Sequence, residues 1–299
     1  MAIQSLSICC PVKNHRCINH CETCTARQHT NPYEDKFDST RMDCFEYWQD
    51  VIKRMEYAIE RGCPTLMLTG SNEPQQNRRW IEELYLAMRS LRTPFKNIEI
   101  QSTGARMDYD YFQFLKAIGV TTFALSAFNI DDDGVNKFII GTPDDSLCVK
   151  GICEKVTSLG MNLRLCLNVT DYLICEHTES NYHEVIESLL DRCAELRASQ
   201  VTFRKMWSVE GTPEAEWIKE HCQESDAIIK AMTTQVKNRG TLLGKLPYGA
   251  ERYDYKGFSI VIDTDSMAKD ESNQETKYYI IRENGKMYSA WDSPASIVF

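Results

Sequence analysis

Residues 45–70 read FEYWQDVIKRMEYAIERGCPTLMLTG, and this stretch contains the helix–strand unit that repeats along the chain. Residues 45–62 place apolar side chains at helical spacing and end at Gly62, so they predict an amphipathic helix. The apolar run TLMLTG at 65–70 predicts a buried strand of a parallel sheet. A helix followed directly by such a strand is typical of repeated βα units.

The same pair recurs along the chain. Further helices are predicted at 77–91, 109–119, 146–160 and 181–196. Further strands are predicted at 5–10, 97–104, 120–129, 161–170 and 200–207. Six βα units are too few for a closed eight-stranded barrel. Residues 1–240 are therefore predicted to form an α/β fold, a partial (β/α)6 barrel.

The rhythm changes after residue 240. ERYDYKGFSIVID at 251–263 and KYYIIRENGKMYSAW at 277–291 are rich in strand-forming residues, with the turn-like sequences KG and ENGK between strand-like flanks. Residues 241–299 are predicted to be a small C-terminal antiparallel β extension packed on the barrel. The polar stretch 265–276 predicts a solvated loop.

Composition excludes several classes of protein. Hydrophobic residues make up 42% of the chain and charged residues 26%, and no apolar run approaches the roughly 18–20 residues of a membrane-spanning helix. The first residues lack the basic start and apolar region of a signal peptide, which predicts a cytoplasmic protein with reduced thiols. The net charge of −9 argues against a nucleic-acid duplex as the main partner.

The thirteen cysteines include one compact group, RCINHCETC at 16–24. Cys17, Cys21 and Cys24 fall on one loop after the first predicted strand, and thiolates favour iron–sulfur clusters, zinc or copper(I). Three close thiolates would hold three irons of a cubane and leave the fourth iron open. A zinc site in a non-catalytic binding protein is the alternative, with a fourth ligand among Cys9, Cys10, His15 and His20.

The C-x3-C-x2-C spacing after the first strand of a βα series resembles the radical S-adenosylmethionine superfamily. LTGSNEP at 68–74 is similar to the superfamily's Gly-Gly-Glu-Pro element, with Asn72 replacing a glycine and Glu73-Pro74 retained. Thr23 stands where members usually carry an aromatic residue. Without the resemblance, 68–74 reads as a strand-to-helix turn in which Asn72 caps and Pro74 begins the helix.

The resemblance implies a [4Fe-4S] cluster on Cys17, Cys21 and Cys24, with S-adenosylmethionine on its open iron. Polar residues at the carboxyl ends of parallel strands are well placed for ligands. The predicted contacts of S-adenosylmethionine are Gly70, Asn72, Glu73, Ser102, Ser126 and Asn168. The predicted substrate contacts are Arg164 and Arg204, although strand alternation leaves open whether Arg204 or Lys205 faces inward.

The implied reaction is reductive cleavage of S-adenosylmethionine to a 5′-deoxyadenosyl radical, which takes a hydrogen atom from substrate. A flavodoxin or ferredoxin would supply the electron. The acidic chain favours a small polar substrate, such as a purine or deazapurine base, a nucleoside or an amino acid, and lyase, cyclase, mutase and epimerase outcomes stay open. Modification of RNA or a peptide is the second interpretation.

Overall fold

The computed structural model describes residues 3–12, 17–28, 42–174, 181–246, 250–264, 276–291 and 293–299. His15, one of the alternative zinc ligands, lies outside these residues, as does nearly all of the predicted loop at 265–276. Within the described ranges, no helix has both the length and the apolar character that crossing a membrane requires.

The strands form one eleven-stranded sheet in the order β11-β10-β1-β2-β3-β4-β5-β6-β9-β8-β7. Their bounds are β1 Ile3–Ile8, β2 Thr65–Leu68, β3 Asn97–Ser102, β4 Thr122–Ala127, β5 Asn162–Val169, β6 Gln200–Lys205, β7 Thr241–Lys245, β8 Glu251–Tyr255, β9 Phe258–Asp263, β10 Thr276–Ile281 and β11 Met287–Tyr288.

Strands β1 to β6 pair in chain order and in parallel, as the βα repeat predicts. The segment after residue 240 continues this sheet at both ends. Strand β9 joins β6 in parallel and β10 joins β1 in parallel, while β7, β8 and β11 add antiparallel pairs outside them. The predicted α/β class with a partial barrel and C-terminal antiparallel strands is confirmed.

Nine α-helices lie in the described part of the chain. They are α1 Thr25–Gln28, α2 Phe45–Glu60, α3 Arg78–Met88, α4 Tyr109–Ala117, α5 Asp133–Ile140, α6 Val149–Ser158, α7 Tyr182–Glu195, α8 Pro213–His221 and α9 Ser225–Arg239. A 3-10 turn at Pro74–Asn77 precedes α3. Helices α1, α5, α8 and α9 are absent from the predicted elements; the eight residues of α5 fall between a strand and a longer helix.

The alternation along each strand separates a helix-covered face from the barrel interior. On β5, Leu163, Leu165 and Leu167 belong to the apolar core shared with the helices. Arg164 and Asn168 occupy the opposite face, because neighbouring residues of a strand point to opposite sides. Polar side chains of β5 thus line the barrel interior. The position of each residue along its strand determines whether its side chain lies at the carboxyl-end edge of the sheet.

Candidate cofactor site

The cysteine loop, residues 17–24, follows β1 and docks on the end of α5. The amide of His20 donates to the carbonyl of Ile140 (3.0 Å), and the amide of Glu22 donates to the carbonyl of Ile139 (2.9 Å). Gly141 ends α5 with φ +57°, and a Cβ added there would lie 2.5 Å from the His20 carbonyl oxygen. A glycine is therefore required where the loop meets the helix.

The far end of the loop is held by Arg27 on α1. Its Nε donates to Glu214 Oε1 on α8 (2.6 Å), and its Nη2 donates to the carbonyl of Cys21 (2.5 Å). The Glu214 side chain is buried, so Arg27 supplies the hydrogen bond and the opposite charge that water would otherwise provide. The backbone of the loop is consequently fixed on both sides by elements far away in sequence.

Cys17, Cys21 and Cys24 are free and half-buried. Burial raises the pKa of the Cys17 and Cys21 thiols above its usual value, and the charges of Glu73 and Cys24 raise it further. The three thiols and the Glu73 carboxylate therefore lie close enough for their charges to interact. In the described residues, no three His, Cys, Asp or Glu side chains meet closely enough to bind a single metal ion. Thiolates of a cubane bind different irons, so they need not converge as zinc ligands do.

Glu73 lies at the centre of a buried hydrogen-bond network. Its Oε1 accepts from Asn19 Nδ2 (3.0 Å) in the cysteine loop and from the Thr103 hydroxyl (2.6 Å), and its Oε2 accepts from the Ser102 hydroxyl (2.6 Å). The Thr103 amide donates to the same carboxylate (3.1 Å). The cysteine loop and the ends of β2 and β3 are thus joined at one side chain.

Gly70 and Asn72 lie in the same turn as Glu73. Gly70 has φ +148°, and a Cβ added there would lie 2.9 Å from Cys9 Sγ, so only glycine lets the turn approach the end of β1. Asn72 Oδ1 is buried without a hydrogen-bond partner, as is Asn19 Oδ1 in the cysteine loop. Two unused acceptors at the meeting point of loop and turn could receive donors from a ligand.

The remaining predicted residues divide into two groups. The Ser102 hydroxyl donates to Glu73 and so helps to hold the Glu73 side chain in place. Ser126 on β4, Asn168 on β5 and Arg204 on β6 lie on the interior face near the carboxyl ends of their strands. Lys205 lies on the helix face, where its Nζ pairs with Asp226 Oδ1 on α9 (2.6 Å), so Arg204 is the inward residue.

Arg164 has a structural partner. Its Nη2 forms an ion pair with Glu99 Oε1 on β3, and the Glu99 side chain is buried. Gln101 Nε2 also donates to Glu99 Oε1 (3.1 Å), which adds to a polar network across the interior of the barrel. The assignment of Arg164 to substrate binding stays a prediction, and a carboxylate of the protein already occupies part of its guanidinium.

Sequence reasoning missed Asn19, Thr103, Gly141 and Asp263. Asn19 sits inside the cysteine motif and Thr103 directly follows Ser102, so proximity to predicted ligands was an available signal. Asp263 ends β9, and β9 pairs in parallel with β6, which brings its carboxylate to the same edge as Arg204. Only the sheet topology shows that a strand of the C-terminal segment contributes to this edge.

No protein-family model matches the chain, and no curated protein matches it either. Solved structures do resemble it. SuiB from Streptococcus suis bound to S-adenosylmethionine has a TM-score of 0.59 and 14% identity, covering 97% of this chain and 60% of SuiB. The same protein bound to its precursor peptide SuiA has a TM-score of 0.56 and 15% identity over the same shares.

Native anSMEcpe with bound AdoMet, another name for S-adenosylmethionine, gives a TM-score of 0.61 and 12% identity over 97% of this chain and 75% of that protein. The chain therefore spans about 60% of the length of SuiB. At such low identity the likeness establishes the fold alone: this chain has the α/β partial-barrel fold of SuiB and anSMEcpe.

Proposed function

We propose that this chain is a radical S-adenosylmethionine enzyme acting in the cytoplasm on a small polar substrate. The observation that carries the proposal is the hydrogen bond between Asn19 of the cysteine loop and Glu73 of the Glu-Pro turn. It joins two motifs, far apart in sequence, that the resemblance assigns to one cofactor site. The fold shared with two proteins solved with bound S-adenosylmethionine supports the same assignment.

The residues of the loop and the turn fit the proposed groups. Cys17, Cys21 and Cys24 would hold a [4Fe-4S] cluster, which when bound supplies the electron that cleaves S-adenosylmethionine to methionine and a 5′-deoxyadenosyl radical. The buried and unused Asn72 Oδ1 is an acceptor suited to an ammonium donor of S-adenosylmethionine. Gly70 would let its backbone approach that ligand, while Glu73 and Ser102 hold the turn in place.

Residues of the barrel would position the reacting molecules. Ser126 and Asn168 face the interior and would orient the ribose and methionine parts of the cofactor, and Arg204 would bind substrate on the next strand. Burial of the site would exclude water and oxygen from a reactive radical. A flavodoxin or ferredoxin would deliver the electron from outside. Lyase and rearrangement outcomes stay open.

The test is anaerobic reconstitution with iron and sulfide, followed by reduction in the presence of S-adenosylmethionine. We expect a brown protein that releases 5′-deoxyadenosine, and we expect Cys21→Ala to abolish both properties. Cys148→Ser is the matched control, because Cys148 is exposed and lies outside the loop. A colourless protein with one zinc per chain would instead support the zinc-stabilised binding protein.

Peptide modification is the second candidate, because SuiB has been solved with its precursor peptide on the same fold. RNA is disfavoured by the net charge of −9. Release of 5′-deoxyadenosine stimulated by a peptide, and by no small polar metabolite, would favour this candidate over the first.

A further inference from the structure

Three interior residues form a row at the carboxyl-end edge of the sheet. Asn168 on β5 is the register partner of Arg204 on β6, and Arg204 is the register partner of Asp263 on β9. Their neighbours Leu167 and Phe203 belong to the apolar core under the helices, so the row itself faces the barrel interior. Adjacent strands lie about 4.8 Å apart, which brings a guanidinium and a carboxylate to neighbouring positions.

Asn168 and Asp263 are buried, Arg204 is half-buried, and none of the three side chains is paired among the described residues. Asn168 is 7% exposed and Asp263 is 9% exposed. The Arg204 Nε has no access to solvent and no hydrogen-bond acceptor. Within the described part of the chain, no hydrogen bond or ion pair joins any of the three side chains to another residue.

This lack of partners sets the row apart from three charged pairs elsewhere in the molecule, each with a buried carboxylate. Arg27 pairs with Glu214, Arg164 pairs with Glu99, and Arg282 pairs with Glu283. A buried charge without a partner is strongly destabilising, so its presence suggests a use. A charged ligand that binds at the row would remove this penalty for Arg204 and Asp263 together.

We propose that Arg204 and Asp263 form a binding site for a free α-amino acid or a close analogue. Arg204 would bind the α-carboxylate and Asp263 the α-ammonium, because an α-amino acid carries both charges on one carbon and so presents them to two neighbouring side chains of opposite charge. The site lies beyond Asn168, on the flank away from the β2 and β3 turn that would hold the cofactor. The inference rests on the proposed function and names the substrate class of that site.

Thermal denaturation of the wild-type chain with each standard L-amino acid tests the proposal. We expect at least one free amino acid to raise the Tm, and its N-acetyl and α-amide derivatives to leave the Tm unchanged. Arg204→Gln and Asp263→Asn should each weaken binding of that amino acid about tenfold or more, which is about 1.4 kcal/mol. Lys205→Gln, altered next to Arg204 but on the helix face, should bind as the wild type does.

A second measurement separates binding from a structural role. Asp263→Asn without ligand should keep or raise the Tm, since it removes an unpaired buried carboxylate, whereas loss of a structural ion pair would lower it. The affinity for S-adenosylmethionine should not change in either variant.

The proposal is overturned if no free amino acid binds or if the blocked derivatives bind equally well. A lower Tm in Asp263→Asn, or a lost affinity for S-adenosylmethionine in either variant, also overturns it. The Tm shift needs no cluster, so a shift without 5′-deoxyadenosine release would refute the proposed reaction and leave the amino-acid site standing.

Discussion

Glu73 uses both carboxylate oxygens on donors from the cysteine loop and from the end of β3. Glu73→Gln replaces one acceptor oxygen by an amide nitrogen, which cannot accept from Ser102 or Thr103. We expect the free energy of unfolding to fall by about 1–3 kcal/mol, the usual cost of leaving buried hydrogen-bonding groups unpaired. Urea denaturation of the two proteins measures the difference.

Glu82→Gln is the matched control for this change. Glu82 lies on α3, half-exposed, in an ion pair with Arg78, so its replacement should alter stability by less than about 0.5 kcal/mol. Equal effects of the two substitutions would show that the buried network around Glu73 contributes nothing to the fold.

A substitution of Arg164 measures how much stability is lost when the buried Glu99 carboxylate has no cationic partner. Arg164→Gln removes the ion pair with Glu99, and we expect a loss of about 3 kcal/mol in urea denaturation. Arg239→Gln breaks a more exposed pair with Glu187 and should cost less than about 1 kcal/mol. A neutral Arg164→Gln would mean that Glu99 is satisfied without it, and would favour the substrate role predicted for Arg164.

The sequence could identify which residues are chemically able to form the site, but not which of them contact each other. Glu73 is recognisable from the Glu-Pro pair, and the cysteines from their spacing. The hydrogen bond of Ser102 to Glu73, the pairing of Arg164 with Glu99 and the inward direction of Arg204 depend on register between strands. Register is set by packing over the whole sheet, and no local pattern records it.

At the scale of elements, the cysteine loop depends on the end of α5. Gly141→Ala places a Cβ against the His20 carbonyl and strains a left-handed backbone position. We expect a loss of about 1–3 kcal/mol in stability and less iron bound after anaerobic reconstitution, because the loop would be displaced. Urea denaturation and iron content per chain measure the two effects.

Gly211→Ala separates the two causes. Gly211 also has a positive φ of +85°, but no atom lies within 4 Å of an added Cβ, so this variant carries the backbone strain without the contact. It should bind iron as the wild type does. If Gly141→Ala matched Gly211→Ala in both measurements, the loop would not depend on this contact.

The predicted helices and strands agree with the structure, but α8 at Pro213–His221 and α9 at Ser225–Arg239 were not predicted. The predicted helix at 45–62 is α2 at Phe45–Glu60, and the predicted strand at 161–170 is β5 at Asn162–Val169. Helix α5 was missed because its eight residues give only two turns of pattern. Its N-cap Asp132 and its C-terminal Gly141 were the available signals, since both fit known capping preferences.

At the scale of the whole molecule, the C-terminal segment continues the sheet from both sides. Strand β9 extends it next to β6, and β10 extends it next to β1. Strand β10 follows β9 along the chain but pairs with β1, far from β9 in the strand order, and a sequence pattern shows only that a strand exists. This is why the segment after residue 240 could be predicted as β-rich while its two contacts with the barrel could not.

Strand β10 next to β1 places a buried charged pair beside the turn at 70–73. Glu283 accepts from the Ser71 hydroxyl (3.0 Å) and pairs with Arg282 (3.3 Å). Glu283→Gln removes the charge of a buried carboxylate that pairs with Arg282, so we expect a loss of about 3 kcal/mol in urea denaturation and weaker binding of S-adenosylmethionine. Asp191→Asn, which breaks an exposed pair with Lys256, should cost less than about 1 kcal/mol and leave binding unchanged. Unaltered cofactor affinity in Glu283→Gln would mean that the C-terminal segment closes the sheet without positioning the turn.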